Sequence, residues 1–218
     1  MTRIIAGAAG GRRLAVPGGT STRPTSDRAK EGLFSTLLSE IGSLGGKRVL
    51  DLYAGSGAVG LEALSRGADS VLFVESDARA AAVIKANIKA VDLPGAHVLT
   101  SKVERALARH PVTTATAATA ATAAAAADAS SYDFVFADPP YAVTSAEITK
   151  VLTSLTAGWL AEDALVVVER ATRSGEFDWP PGYRQGKSRR YGEATFWYGW
   201  YSWHGRATAA GEPEGTKE

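Results

Sequence analysis

The chain has 218 residues, 45% of them hydrophobic and 22% charged, with a formal net charge of +1, which is the size and composition of a globular protein able to bury a full core. It contains no cysteine, and its three histidines, His97, His110 and His204, are scattered, so a disulfide framework and a thiolate metal site are excluded and no metal is expected. No apolar run approaches the roughly 18 residues of a membrane span, and the first residues lack a leader's apolar stretch, so a cytoplasmic location is expected.

Residues 3–16 read as two short strands around Gly10-Gly11, and 17–25 as a loop. Thr25 or Ser26 can cap a helix over 27–41, where Ala29, Leu33, Phe34, Leu37, Leu38 and Ile41 recur at helical spacing. The pattern then alternates. Strands are expected at 47–53, 71–75, 97–99, 132–137 and 164–169, with helices at 58–66, 77–90, 102–109 and 145–157. Near-continuous apolar strands alternating with helices predict an α/β fold, a doubly wound and mainly parallel sheet of Rossmann-like type. Residues 183–203, rich in Tyr and Trp, predict an antiparallel hairpin at a sheet edge, with most of its aromatics in the core. Residues 112–131 are almost all Ala and Thr and read as a surface insertion without chemistry, partly helical or disordered. The expected organisation is a basic N-terminal hairpin and helix over 1–45, a main domain over 46–205, and a disordered tail over 206–218.

Charge is uneven. Residues 1–48 hold eight Lys/Arg against three acids, a net +5. A localised basic segment on a nearly neutral chain suits an anionic partner such as nucleic acid. Arg3, Arg12, Arg13, Arg23 and Arg28 are candidate contacts there. So are Arg189 and Arg190, in a second basic cluster with Arg184 and Lys187.

Two loops carry the chemistry. Asp51-Leu52-Tyr53-Ala54-Gly55-Ser56-Gly57 follows a strand and opens a helix, and its glycines permit a tight turn with close approach to a ligand. Gly55-x-Gly57-x-x-Gly60 also fits the dinucleotide pattern. However, a carboxylate at Asp51, ahead of the turn, would repel a pyrophosphate and attract an ammonium group. Glu75, at the end of the next strand and followed by Ser76, can accept from both ribose hydroxyls. An amino-acid end and a ribose without phosphate describe S-adenosylmethionine.

The second loop is Asp138-Pro139-Pro140-Tyr141, after the fourth parallel strand. Its prolines fix φ and leave carbonyls free to accept. The Asp138 side chain and the Pro139 carbonyl can hold the two hydrogens of an exocyclic base amine. Tyr141 offers a ring for stacking a splayed-out base, worth about 1–3 kcal/mol.

Together these motifs resemble class I amino-methyltransferases. More narrowly, Arg3-Ile4-Ile5-Ala6-Gly7, Arg23-Pro24-Thr25-x-Asp27-Arg28 with Leu33-Phe34, Asp51–Gly57 continuing through Gly60 and Glu62-Ala63-Leu64-Ser65-Arg66-Gly67-Ala68, and Asp138–Tyr141 resemble the RsmD family of bacterial 16S rRNA guanine-N2 methyltransferases. The resemblance spans about residues 3–200. It implies S-adenosylmethionine held by Asp51, Tyr53, Ala54, Gly55, Ser56, Gly57, Glu75, Ser76 and Asp138, with Asp138, Pro139 and Tyr141 catalytic. The implied partner is 16S rRNA at a G966-type site, in a 30S subunit or assembly intermediate, and a monomer is expected. Lys102 stands where such enzymes often place an acceptor for adenine N6, and an ammonium cannot accept. Adenine contact is therefore expected through backbone near Val103. The competing readings are a DNA adenine-N6 or cytosine-N4 methyltransferase, which would need a target-reading domain for which no block remains, a non-catalytic RNA-binding relative, and a dinucleotide oxidoreductase, which would leave Asp138–Tyr141 idle.

Overall fold

The computed structural model describes residues 2–18, 26–109 and 131–202. The expectations for Arg23, for most of the 112–131 segment and for the tail lie outside the described residues. The elements are β1 (Thr2–Arg3), β2 (Arg13–Leu14), α1 (Asp27–Ile41), β3 (Arg48–Leu52), α2 (Ala58–Ser65), β4 (Ser70–Glu75), α3 (Ala78–Val91), β5 (Ala96–Thr100), α4 (Val103–Leu107), β6 (Tyr132–Ala137), α5 (Ser145–Leu155), β7 (Leu160–Ala171), β8 (Tyr183–Tyr191) and β9 (Ala194–Tyr201).

Local chemistry sets several boundaries. The Ser26 hydroxyl accepts from Ala29 N to start α1, and Gly42, with φ of 76°, ends it. Asp77 caps α3, and Thr144 with Glu147 forms a capping box on α5. Each cap satisfies backbone donors that the first helical turn leaves unpaired.

Among the described residues, seven strands form one sheet in the order β5-β4-β3-β6-β7-β9-β8. Strands β5 through β7 run parallel, and β9 is antiparallel to both β7 and β8. This is the expected doubly wound α/β sheet with an aromatic hairpin at its edge. Strand order reverses between β3 and β6, which opens a crevice at the carboxyl ends of those strands. Strand β7 is longer than the 164–169 run predicts, because it pairs on both sides and carries a register shift opposite Tyr132–Phe134.

Two hydrophobic clusters cover the two faces. One joins α1, α2 and α3 to Val49, Phe73, Phe136, Val167 and Phe196. The other joins α4 and α5 to Leu50, Val74, Val135, Val168 and Tyr201. The expected aromatic core holds: Phe196, Tyr198 and Tyr201 are buried. No described helix is long and apolar enough to cross a membrane.

The N-terminal hairpin belongs to the first cluster. Ile4 is 0% exposed, and Leu14 and Ala9 are buried beside it. Gly7, at φ +82°, lies so close to Ser65 that a Cβ would fall 1.8 Å from its carbonyl oxygen. Ile5 N and Ala6 N donate to the Glu62 carboxylate at 2.6 and 3.1 Å, and Arg66 Nε donates to it at 2.6 Å. Ala9 N donates to the Ser65 hydroxyl, which donates to Ala6 O. The Ile-Ile-Ala-Gly and Glu-Ala-Leu-Ser-Arg segments are thus each other's partners. The hairpin is fastened to the α/β core and does not stand apart from it as a detachable arm.

Candidate active site

The site lies at the crevice where strand order reverses. Side-chain parity puts four acids on the sheet face that carries α1 and α2. Val49, Phe73, Phe136 and Val167 face the first cluster, so Asp51, Glu75, Asp138 and Glu169, each two residues further along, share their side. Register then orders them. Leu52 pairs with Ala137 and Val74, and Ala137 pairs with Val168. Glu75, Asp138 and Glu169 therefore stand one residue beyond the last pairs, and Asp51 lies one pleat deeper.

Asp51 is buried, and its Oδ2 accepts from Gly60 N at 2.9 Å. Burial, aided by Glu75, pushes its carboxyl up to about 8, against the pull of the Gly60 N–H. Glu75 bridges two loops: Oε2 accepts from Gly55 N and Oε1 from Asp77 N, both at 2.8 Å. An ionised carboxylate accepts about four hydrogen bonds, which leaves capacity for two ribose hydroxyls. Ser76 is exposed beside it.

Tyr53, Gly55 and Gly57 adopt φ of 59°, 56° and 75°. A Cβ on Gly55 would meet no atom closer than Tyr53 O at 3.9 Å, so the space over this turn is open. Gly60 is different: a Cβ there would fall 2.3 Å from Phe73 Cε1, so this glycine serves helix–sheet packing. Ala54 N donates to Val74 O, and Ser56 O accepts from Asn87 Nδ2 at 2.9 Å. Asn87 also exchanges two hydrogen bonds with the Ala15 backbone, which ties the N-terminal segment to the turn. Val103 is buried in the second cluster, so only its backbone is available to a ligand. Tyr53 packs toward that same cluster and donates to Glu104 at 3.4 Å; burial raises its phenol pKa.

Asp138 is half-buried, and its N–H reaches Leu52 O at 3.4 Å. Burial and the neighbouring carboxylates of Glu169 and Asp51 push its carboxyl well above the usual range. Pro139 is buried, and Tyr141 is 65% exposed, with the Arg173 guanidinium 5.7 Å from its ring centroid.

The described basic candidates are split between the N-terminal segment, where Arg3 and Arg13 pair across the hairpin, and β8. Arg3 pairs with Asp27 at 3.3 Å, and Arg12 donates to Ala90 O at the end of α3. Arg13 and Arg28 are exposed. Arg189 and Arg190 lie on β8, the opposite flank of the sheet from α3. Arg189 nevertheless shares a register row with Phe196 and Glu169. Sequence reasoning missed Glu169 and Arg173. The signal for Glu169 was present: it ends the fifth apolar strand as Glu75 ends the second.

The family model described as conserved hypothetical protein 95 matches residues 2–200. Ribosomal RNA small subunit methyltransferase D of Escherichia coli is 34% identical over 173 residues, covering 79% of this chain and 76% of that one. This chain belongs to the RsmD family. The family member from Haemophilus influenzae is 35% identical over 167 residues, 77% of each chain. The solved structure titled "Putative methyltransferase yhhF from Escherichia coli" superposes with a TM-score of 0.72 at 29% identity, over 92% of this chain and 98% of that one. The Escherichia coli and Haemophilus influenzae relatives are both named as methyltransferases of small-subunit ribosomal RNA, and the cofactor expected from the sequence is S-adenosylmethionine. The residues fit that cofactor: an open left-handed glycine turn, a carboxylate bridging the turn to the next strand, and a buried acid below.

Proposed function

We propose that this RsmD-family protein methylates the exocyclic N2 of a guanine in 16S rRNA, at a G966-type site. The observation that carries the reading is Asp138-Pro139-Pro140-Tyr141 at the strand-order reversal, its acid on one face with Asp51 and Glu75. Asp51 faces the amino-acid end of S-adenosylmethionine, Glu75 takes the ribose hydroxyls, and Ser76 and the Val103 backbone border the nucleoside. Tyr53, Ala54, Gly55, Ser56 and Gly57 line the turn. The cofactor supplies an electrophilic methyl on a sulfonium.

Asp138 and the Pro139 carbonyl each accept one N2 hydrogen, which turns the amine lone pair toward the methyl carbon. Tyr141 stacks on the base. N2 would take the methyl that the cofactor gives up, and the amine would then shed a proton to Asp138 or water. Positioning supplies much of the rate in such an in-line displacement. Arg3, Arg12, Arg13, Arg23, Arg28, Arg189 and Arg190 serve the RNA backbone. The protein acts as a cytoplasmic monomer on a 30S subunit or its assembly intermediate. Tritium transfer from labelled cofactor to purified small subunits, with mapping of the labelled base, tests the reading. Label on adenine or cytosine, or none, overturns it.

Asp51 gives a pH prediction. Its folded pKa of about 8 lies above the roughly 3.9 of an unfolded aspartate. Its contribution to the stability of the free protein is therefore full below about pH 4 and is lost as pH rises to about 8. Cofactor binding has the opposite slope, because an ammonium selects the ionised acid and displaces a proton. Affinity should rise up to about 10-fold per pH unit from about 6 to 8 and then level. Calorimetry in buffers of different ionisation enthalpy measures the released proton. Asp51→Asn should bind weakly and release none.

A further inference from the structure

Glu169 is buried, 9% exposed, at the carboxyl end of β7. It stands beside Asp138 on the neighbouring strand, one residue past the Ala137–Val168 pair and on the same face. Neighbouring strands lie about 4.8 Å apart, and the two carboxylates are close enough to repel. Two adjacent acceptors on one face match a ligand that presents adjacent donors.

Guanine presents such donors side by side. Its N2 amine and N1–H sit on the same ring carbon, so their acceptors must also lie next to each other. With N2 held by Asp138 and the Pro139 carbonyl, N1–H points to an adjacent acceptor. Adenine and cytosine present the opposite pattern, because the ring nitrogen beside their amine carries a lone pair. A carboxylate at that place accepts from guanine and repels the other two bases.

We propose that Glu169 reads the target base by accepting from guanine N1–H, and so restricts an amino-methylating loop to guanine. The inference rests on the guanine-N2 reading above and adds the residue that enforces it. An ionised carboxylate has about four acceptor positions, so Glu169 can hold the base alongside other partners. Asp138 orients the amine that reacts; Glu169 recognises the group next to it.

The test uses small subunits reconstituted with rRNA carrying either guanine or 2,6-diaminopurine at the position that wild-type protein labels. Diaminopurine keeps the N2 amine but has a lone pair at N1. Wild-type protein should methylate guanine faster by roughly 10- to 100-fold in single turnover, the discrimination a well-made base contact provides. Glu169→Ala should lose most of this preference, chiefly through a slower guanine reaction. Glu169→Gln should also lose it, because its amide can donate to the diaminopurine N1, and diaminopurine should gain in absolute rate. Cofactor affinity and thermal melting should stay near wild type in the Gln variant, which decides the matter if the Ala variant folds poorly. A wild-type base preference retained by Glu169→Gln overturns the inference while leaving the guanine-N2 reading intact. Failure of wild-type protein to label guanine at all overturns both.

Discussion

Replacing Asp138 by alanine should cut methyl transfer by about 100-fold or more, the scale of losing one directional hydrogen bond in a transition state. The fold should survive, because Asp138 lies past the end of β6 and its raised pKa marks an acid that its surroundings do not stabilise. Asp138→Asn is the more discriminating variant. A carboxyl oxygen accepts from the amine in either protonation state, and an amide oxygen accepts as well. The aromatic amine needs no base before attack, since its proton leaves after methylation. Asn should therefore retain partial activity and melt slightly higher than wild type near neutral pH, because the cost of keeping an acid of raised pKa at this place is gone. Single-turnover assays on both variants decide. An Asn variant as inactive as Ala makes Asp138 an obligatory base, and an Ala variant of wild-type rate removes the loop from the chemistry.

Deleting residues 1–14 should abolish cooperative folding. The +5 charge of residues 1–48 points to an RNA-binding appendage whose loss spares the cofactor site. The structure points elsewhere. Ile4 and Leu14 are fully buried, and burial of each contributes about 1.5–3 kcal/mol. Buried Glu62 would lose the Ile5 and Ala6 N–H donors, and hydrogen bonds to a charged group contribute about 1.5–3 kcal/mol each. Those losses are comparable to the net stability of a whole domain, about 5–15 kcal/mol. Cofactor binding should fail as well, because Ala15, which Asn87 ties to Ser56 of the glycine turn, loses the β2 strand that anchors it. A melt within a few degrees of wild type, with normal calorimetric affinity, would make the hairpin an appendage after all. Charge is better tested without touching the core: Arg13→Ala should fold normally and lower the salt slope of subunit binding by about one.

Sequence alone determined the alternation of strand and helix, the boundaries of α1 and β6, the two loops that carry Asp51 and Asp138, and Glu75 at the end of the second strand. Those signals are local. A cap, a glycine turn, an apolar run and a proline pair act within a few residues, so periodicity and spacing expose them. The acid at the end of a strand was equally visible at Glu169, but nothing local distinguishes a ligand-edge acid from a strand terminus. Only the β6–β7 register put Glu169 beside Asp138. The docking of the hairpin is hidden from the sequence for the same kind of reason. Its arginines are legible as charge, whereas the burial of Ile4 and the docking of Ile5 and Ala6 on Glu62 join residues 56 and 57 positions apart. Contacts at that separation are decided by how the sheet twists and which helix covers which strand, and no periodicity within either segment encodes them.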